Sequence, residues 1–306
     1  MSSLVGKVNS ENNSTSPLAC QPRLLPGQVY FYREEMIKDA NPSEPLVNFI
    51  RQGQGAPVVL VHGLAASVFD WVDLSPDLVG AGYATYALDL LGHGKSIKPK
   101  DLTKYNVDGI FEHFWSWVQS LGLDSPLVMV GHSLGAYLSI EYALRYPLGV
   151  RALVLVDPFY SLDQLSPLLR FHYKRPLIDL GIISYAPEWM IRLSIELAGL
   201  IIRNGYVAPH TSAGRAQTAQ DYKRASPGIY KILSTTRDLT PDLPKVKVPT
   251  LVAWGAHDQS LAPHSFEKLA ATLPNVQTAV IEAGHVPHQS HAPELNAHVL
   301  AFLAQI

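Results

Sequence analysis

The feature that most constrains this chain is a series of short apolar runs, at residues 58–61, 84–88, 127–130 and 153–156, separated by stretches of helical length at 69–80, 105–121 and 134–146. Within each run, apolar residues do not alternate with polar ones, so both faces are expected to be covered, as in a parallel sheet. Strand, helix, strand, helix is the order of a doubly wound α/β domain. Two further segments with strand character, 28–32 and 46–50, are expected to form an antiparallel edge pair. With 47% hydrophobic and 16% charged residues over a length of 306, the chain can bury a sizeable core.

After Asp157-Pro158 the rhythm stops. Residues 161–236 contain no clear strand, but they do contain a largely apolar helical stretch at 189–202. So long a segment without strands reads as a helical insertion, not a structureless loop. Sheet character returns at 250–254 and 276–281, and a last helix is expected at 293–303. The predicted fold is therefore α/β: a mostly parallel doubly wound sheet with a helical cap inserted after the sixth strand. The expected parts are a poorly ordered extension at 1–27, a core at 28–160 and 237–306, and a cap at 161–236.

Charge and cysteine usage exclude several classes. Lys plus Arg number 24 against 26 Asp plus Glu, a formal net charge of -2 with no basic run, which argues against nucleic acid as a partner. The single Cys20 can form neither an internal disulfide nor a thiolate metal cluster. Residues 1–27 hold no apolar run of signal-peptide length, and no continuous stretch reaches the roughly 18 residues of a membrane span. A cytoplasmic protein without a membrane span is the expectation; the oligomeric state is left open.

The strongest local signal is Gly131-His132-Ser133-Leu134-Gly135, between the run at 127–130 and the helix that Pro147 ends. A serine on a sharp strand-to-helix turn needs small residues two positions either side, and the turn leaves its hydroxyl exposed above a helix N-terminus. Ser133 is thus the candidate nucleophile. A serine hydroxyl requires a positioned base, and His285, just past the last predicted strand, is the candidate, with His288 as the neighbour to test. Asp258, 27 residues before His285 and just after a strand, is the candidate acceptor for its other ring nitrogen. Asp157, which also ends a strand, is the alternative acid.

Acyl transfer also needs two donors where negative charge develops. The expected pair is the backbone N–H of Leu134 and that of Leu64, in the loop His62-Gly63-Leu64-Ala65-Ala66-Ser67. His62 and His132 read as structural hydrogen-bonders. Asp89-Leu90-Leu91-Gly92-His93-Gly94-Lys95-Ser96 lacks the spacing of a phosphate loop and reads as a tight turn. Neither a metal nor another cofactor is implied, since there is no His-Glu-x-x-His string and no calcium loop.

Taken together, these strings resemble the α/β-hydrolase superfamily, in its cap-bearing group of serine esterases and lipases, over roughly residues 28 to 305. Ser133 falls on the family nucleophile, Leu64 on the oxyanion loop, and Asp258 and His285 on the acid and base. The resemblance implies a lid formed by the insertion after Asp157. Haloalkane dehalogenases and epoxide hydrolases of the superfamily carry aspartate where this chain has Ser133, and proline iminopeptidase relatives usually have tryptophan where it has Leu134. Past the base, the usual acid and proline positions hold Ser290 and Ala292, with the proline delayed to Pro293, which suggests one extra residue in that loop.

The expected reaction is two-step hydrolysis of a small, largely apolar ester through an acyl-enzyme. Tyr185, Trp189, Met190, Leu193 and Leu197 would either line an apolar lid or pack it onto the core. The alternatives are a carbon–carbon bond hydrolase, a lactonase or a cofactor-free perhydrolase on the same residues, and, from another class, a small-ligand receptor on a hydrolase scaffold.

Overall fold

The computed structural model describes residues 46–174, 180–201 and 211–306. The strand expected at 28–32, the extension at 1–27 with Cys20, and residue 202 of the expected cap helix lie outside these described residues. Among the described residues, seven strands form one sheet: β1 (Phe49–Gln52), β2 (Ala56–Val61), β3 (Tyr83–Leu88), β4 (Leu127–His132), β5 (Val150–Val156), β6 (Thr250–Gly255) and β7 (Val276–Ile281). Their spatial order is β1-β3-β2-β4-β5-β6-β7. Every pairing is parallel except β1 on β3, where Phe49 faces Leu88. The strand expected at 46–50 is present three residues later and antiparallel at the sheet edge, but its partner is β3; the partner expected for it, 28–32, lies outside the described residues.

The helices are α1 (Leu74–Gly80), α2 (Val107–Ser120), α3 (Leu134–Arg145), α4 (Pro167–Lys174), α5 (Glu188–Ile201), α6 (Ser212–Arg224), α7 (Pro263–Thr272), α8 (Pro287–Ser290) and α9 (Ala292–Leu303). Helices on both faces explain why the central strands are continuously apolar. Val59, Met129, Leu153 and Val252 point into one core, shared with Phe114 of α2, Tyr137 of α3 and Phe266 of α7. Their neighbours Val58, Val128, Ala152 and Leu251 point into the other, against Leu74 of α1 and Val299 of α9. Both sets alternate along the same strands, so no position is left for a polar residue.

Between β5 and β6 the described residues form α4, α5, α6 and several 3-10 helices, with no strand among them, as the broken rhythm predicted. One expectation there needs correction. Tyr185, Trp189, Met190, Leu193 and Leu197 are all exposed, with Tyr185 at 73% and Trp189 at 65%, so they neither line a lid nor pack onto the core. Helical spacing marks an apolar face without saying what that face meets. No helix among the described residues is long and apolar enough to cross a membrane.

Candidate active site

The strand ends at the carboxyl edge of the sheet deliver the site. Ser133 leaves β4 with φ 50° and ψ -112°, a region L residues seldom adopt. The two flanking glycines make that turn possible. A Cβ on Gly131 would lie 2.5 Å from the Gly135 carbonyl oxygen, and one on Gly135 would lie 2.0 Å from that of Val61. Ser133 is anchored by its own backbone, its N–H donating to Val156 at 3.0 Å and its carbonyl accepting from Phe159 at 3.2 Å. The side chain faces a cavity of about 340 Å³ between the sheet edge and the β5–β6 helices.

His285 lines the same cavity, in the loop between β7 and α8. Its Nδ1 lies 2.7 Å from Oδ2 of Asp258. Asp258 is almost completely buried, and its Oδ1 accepts the N–H groups of Ser260 at 2.7 Å and Leu261 at 3.0 Å. Burial opposes a charged His285 ring, but the Asp258 carboxylate, reinforced by Asp70, outweighs it and raises the pKa to about 9. Asp258 is held below the usual carboxylate range: burial acts against this, and the His285 ring with the two backbone donors prevails.

The alternative acid is close by. Ligand atoms of Asp157, Asp258 and His285 all lie within 4.8 Å of one another. Asp157 Oδ1 accepts from Gly255 N–H at 3.0 Å, while its Oδ2 has no partner. Burial, and then the Asp258 charge, push Asp157 well above the ordinary carboxylate pKa, which favours the neutral form at Asp157 and the charged form at Asp258. The histidine hydrogen bond therefore goes to Asp258. His288, the alternative base, is fully buried and faces Asp70 at 3.6 Å instead.

The loop after β2 approaches from the other side, and Leu64 lines the cavity. Gly63 has no room for a side chain: a Cβ there would meet Nδ1 of His132 at 2.7 Å and the Ser133 Cβ at 3.4 Å. Leu134 opens α3 directly after Ser133, so its N–H belongs to the helix N-terminus. His62 is structural, as expected: Leu90 N–H donates to its Nε2 at 3.0 Å, so its Nδ1–H donates to the Gly63 carbonyl at 2.7 Å. His132 uses Nε2 to donate to the backbone carbonyl of His285 at 2.8 Å, tying the Ser133 turn to the His285 loop. The Asp89–Ser96 segment is a closed turn, its Asp89 carboxylate accepting from Val68 and Lys95 N–H at 2.8 Å each.

Three polar residues of the cavity wall were not legible in the sequence: Asp70, Gln289 and Asp221. Asp70 sits in a single helical turn after the 62–67 loop, and Gln289 of α8 donates to its Oδ1 at 2.7 Å. The short α8 turn thus docks Gln289 onto Asp70. Asp221 projects from α6, whose polar composition gives no hint of a buried face.

A model of the alpha/beta hydrolase family matches residues 58–298. The chain belongs to that family. It is 28% identical over 279 residues, 85% of each chain, to a cis-3-alkyl-4-alkyloxetan-2-one decarboxylase of Shewanella oneidensis. It is 26% identical over 249 residues to Lipase 3 of a Moraxella strain, covering 76% of this chain and 72% of the lipase. Among solved structures, a thermophilic esterase from Thermogutta terrifontis shares the fold with a TM-score of 0.70 at 24% identity, over 85% of this chain and 93% of the esterase. Family and relatives together support hydrolase activity.

Proposed function

We propose that this alpha/beta hydrolase is a serine carboxylesterase that cleaves a small, largely apolar ester through an acyl-enzyme. The observation that carries the reading is the 2.7 Å bond from His285 to Asp258, on the wall of a cavity that Ser133 shares. His285 Nε2 takes the proton as Ser133 Oγ attacks the ester carbonyl, and Asp258 fixes the tautomer and stabilises the imidazolium. The N–H groups of Leu64 and Leu134 hold the oxyanion. His285 then protonates the departing alcohol, and a water molecule activated by the same ring releases the acid.

The apolar part of the wall, Phe159, Leu165, Leu233 and Leu261, suits an acyl chain of modest length. The segment between β5 and β6 acts in this reading as the cap, since Leu165, Tyr173, Thr218, Asp221 and Tyr222 all come from it. A serine-directed fluorophosphonate should label Ser133, as mapped by mass spectrometry, and the labelled protein should lose activity on an ester chain-length panel. Labelling elsewhere, or ester turnover undiminished in Ser133→Ala, overturns the reading. A second substrate class is favoured by one comparison: an oxetan-2-one, named for the Shewanella relative, is a cyclic ester. Attack by Ser133 would open that ring by the same first step, so four-membered lactones belong on the panel.

A further inference from the structure

The segment between β5 and β6 begins with a 3-10 turn, Leu162–Gln164, whose last residue is only 2% exposed. Glutamine is seldom so buried, and its amide then needs partners for both the oxygen and the nitrogen. It has them. Oε1 accepts the backbone N–H groups of Tyr160 at 2.6 Å and Ser161 at 3.1 Å. Nε2 donates to the Pro158 carbonyl at 2.8 Å and to Ser265 Oγ at 3.0 Å. With two N–H groups on one side and a carbonyl on the other, only one orientation of the amide fits.

These bonds join two stretches that carry the site. Residues 157–161 begin with Asp157, and the Phe159 N–H among them donates to the Ser133 carbonyl at 3.2 Å. Residues 258–265 begin with Asp258, whose Oδ1 accepts from Ser260 and Leu261. The next N–H along, that of Ala262, donates to the backbone carbonyl of Gln164 at 3.0 Å. Ser265 donates its N–H to the Ala262 carbonyl at 2.8 Å, and its own carbonyl accepts the Tyr160 hydroxyl at 2.9 Å. Gln164 therefore grips the 262–265 turn at both ends, by its carbonyl and by its side chain. The peptide planes that aim two N–H groups at Asp258 end at that grip.

Burial opposes the charge on Asp258, while His285 and then the Leu261 and Ser260 N–H groups favour it. Resting on the serine esterase reading, we propose that Gln164 is a positioning residue that sets the Asp258 carboxylate against His285. The first turn after β5 then does more than lead into the next helices: it aims the proton relay from behind. A shift of a fraction of an ångström in the 260–262 peptides lengthens the 2.7 Å bond to His285, and such displacements are costly in turnover.

The test is Gln164→Ala. Its kcat on an ester should fall by about ten- to a hundredfold. The ascending limb of kcat/KM should move toward lower pH by at least about half a unit. His285 keeps its burial and its other neighbours, Asp157, Asp70 and the His132 ring, while its closest carboxylate recedes. The far-downfield proton resonance of the His285 Nδ1–H, read by NMR, should weaken or move upfield. Asn106→Ala, which removes the side-chain cap at the start of α2, supplies a protein destabilised away from the site, and there the limb and the resonance should stay in place. Ser265→Ala deletes one bond of the grip and should move both readouts the same way by less; it decides the matter if Gln164→Ala does not fold. A His285 titration and resonance displaced in Gln164→Ala, with no ester hydrolysed even by the wild-type protein, would sink the esterase reading and leave the positioning role standing. An unchanged limb and resonance in folded Gln164→Ala (or, failing that variant, in Ser265→Ala), or an equal displacement in Asn106→Ala, overturns the proposal.

Discussion

Two histidine–carboxylate assemblies lie side by side at the carboxyl edge of the sheet, with the His132 and His285 rings 4.9 Å apart. One pairs His285 with Asp258 through a 2.7 Å hydrogen bond and opens onto the cavity. The other sets His132 and His288 around Asp70 at 3.7 and 3.6 Å, with both rings buried. The residue types are the same and the protonation behaviour is opposite. Burial penalises the charged ring in both places, but only His285 has a carboxylate close enough to reverse it, so its pKa rises to about 9 while that of His132 falls to about 4. A histidine near an acid is thus not a base in waiting. The carboxylate lies about an ångström closer to His285 than to His132, and the two rings shift in opposite directions.

The sharpest way to break this contrast is to remove the histidines one at a time. His285→Ala should lower kcat by at least about a thousandfold, and Ser133→Ala by a similar factor, because the parts of such a site act as a unit. His288→Ala should cost far less in turnover, within about tenfold. It should instead lower the unfolding free energy by about 2–4 kcal/mol, since a fully buried ring leaves a cavity against Trp71 and His132. Esterase kinetics beside denaturant unfolding of the same samples separate the two outcomes. A His288 variant as inactive as the His285 variant would abolish the distinction.

The carboxylates sharpen it next. Asp258→Asn keeps the shape but presents an amide to His285, and a loss of about 10²–10⁴-fold in kcat is expected. Asp70→Asn should cost about tenfold or less, since Asp70 acts through Gln289 and the histidine loop and not on the reacting atoms. The pH profile carries the same contrast. The base must be neutral to accept a proton, and its pKa is raised, so kcat/KM should climb about tenfold per pH unit below about 9 and level off above it. His132, neutral throughout that range, should leave no inflection. In Asp258→Asn the ascending limb should move to lower pH as its plateau drops.

How much of this was legible in the sequence follows from where side chains point. The central strands could be read because helices cover both faces of β2, β4, β5 and β6, which forces unbroken apolar runs. β1 was misplaced by three residues because all four of its residues are exposed, so no burial pattern marks it. Ser133, Asp258 and His285 were legible because each sits at a strand end beside glycine or a tight turn, where backbone geometry restricts the sequence. Asp70 and Asp221 were not, since a buried carboxylate in a loop and one on a polar helix look like ordinary surface residues until the neighbours are known. The apolar face of α5 was visible in the sequence but what it meets was not, and Trp189 and Leu193 on it are exposed.

The smallest expected effect concerns the second acid, and its smallness is informative. Asp157 holds a positive φ of 40°, which asparagine tolerates better than most residues. Its Oδ1 accepts from Gly255, and its unpartnered Oδ2 lies on the side of Asp258. Burial and the Asp258 charge favour its protonated form, which offers one acceptor and one donor with no charge. Asp157→Asn reproduces that set: the amide oxygen can take the Gly255 N–H and the NH₂ can face Asp258. Turnover should then stay within about threefold and the ascending limb of kcat/KM should shift by less than about half a pH unit. An ionised Asp157 would behave differently, because deleting its charge would withdraw part of the support for the His285 imidazolium. The limb would then move clearly toward lower pH, and the proton shared at the base of the site would have to be reassigned.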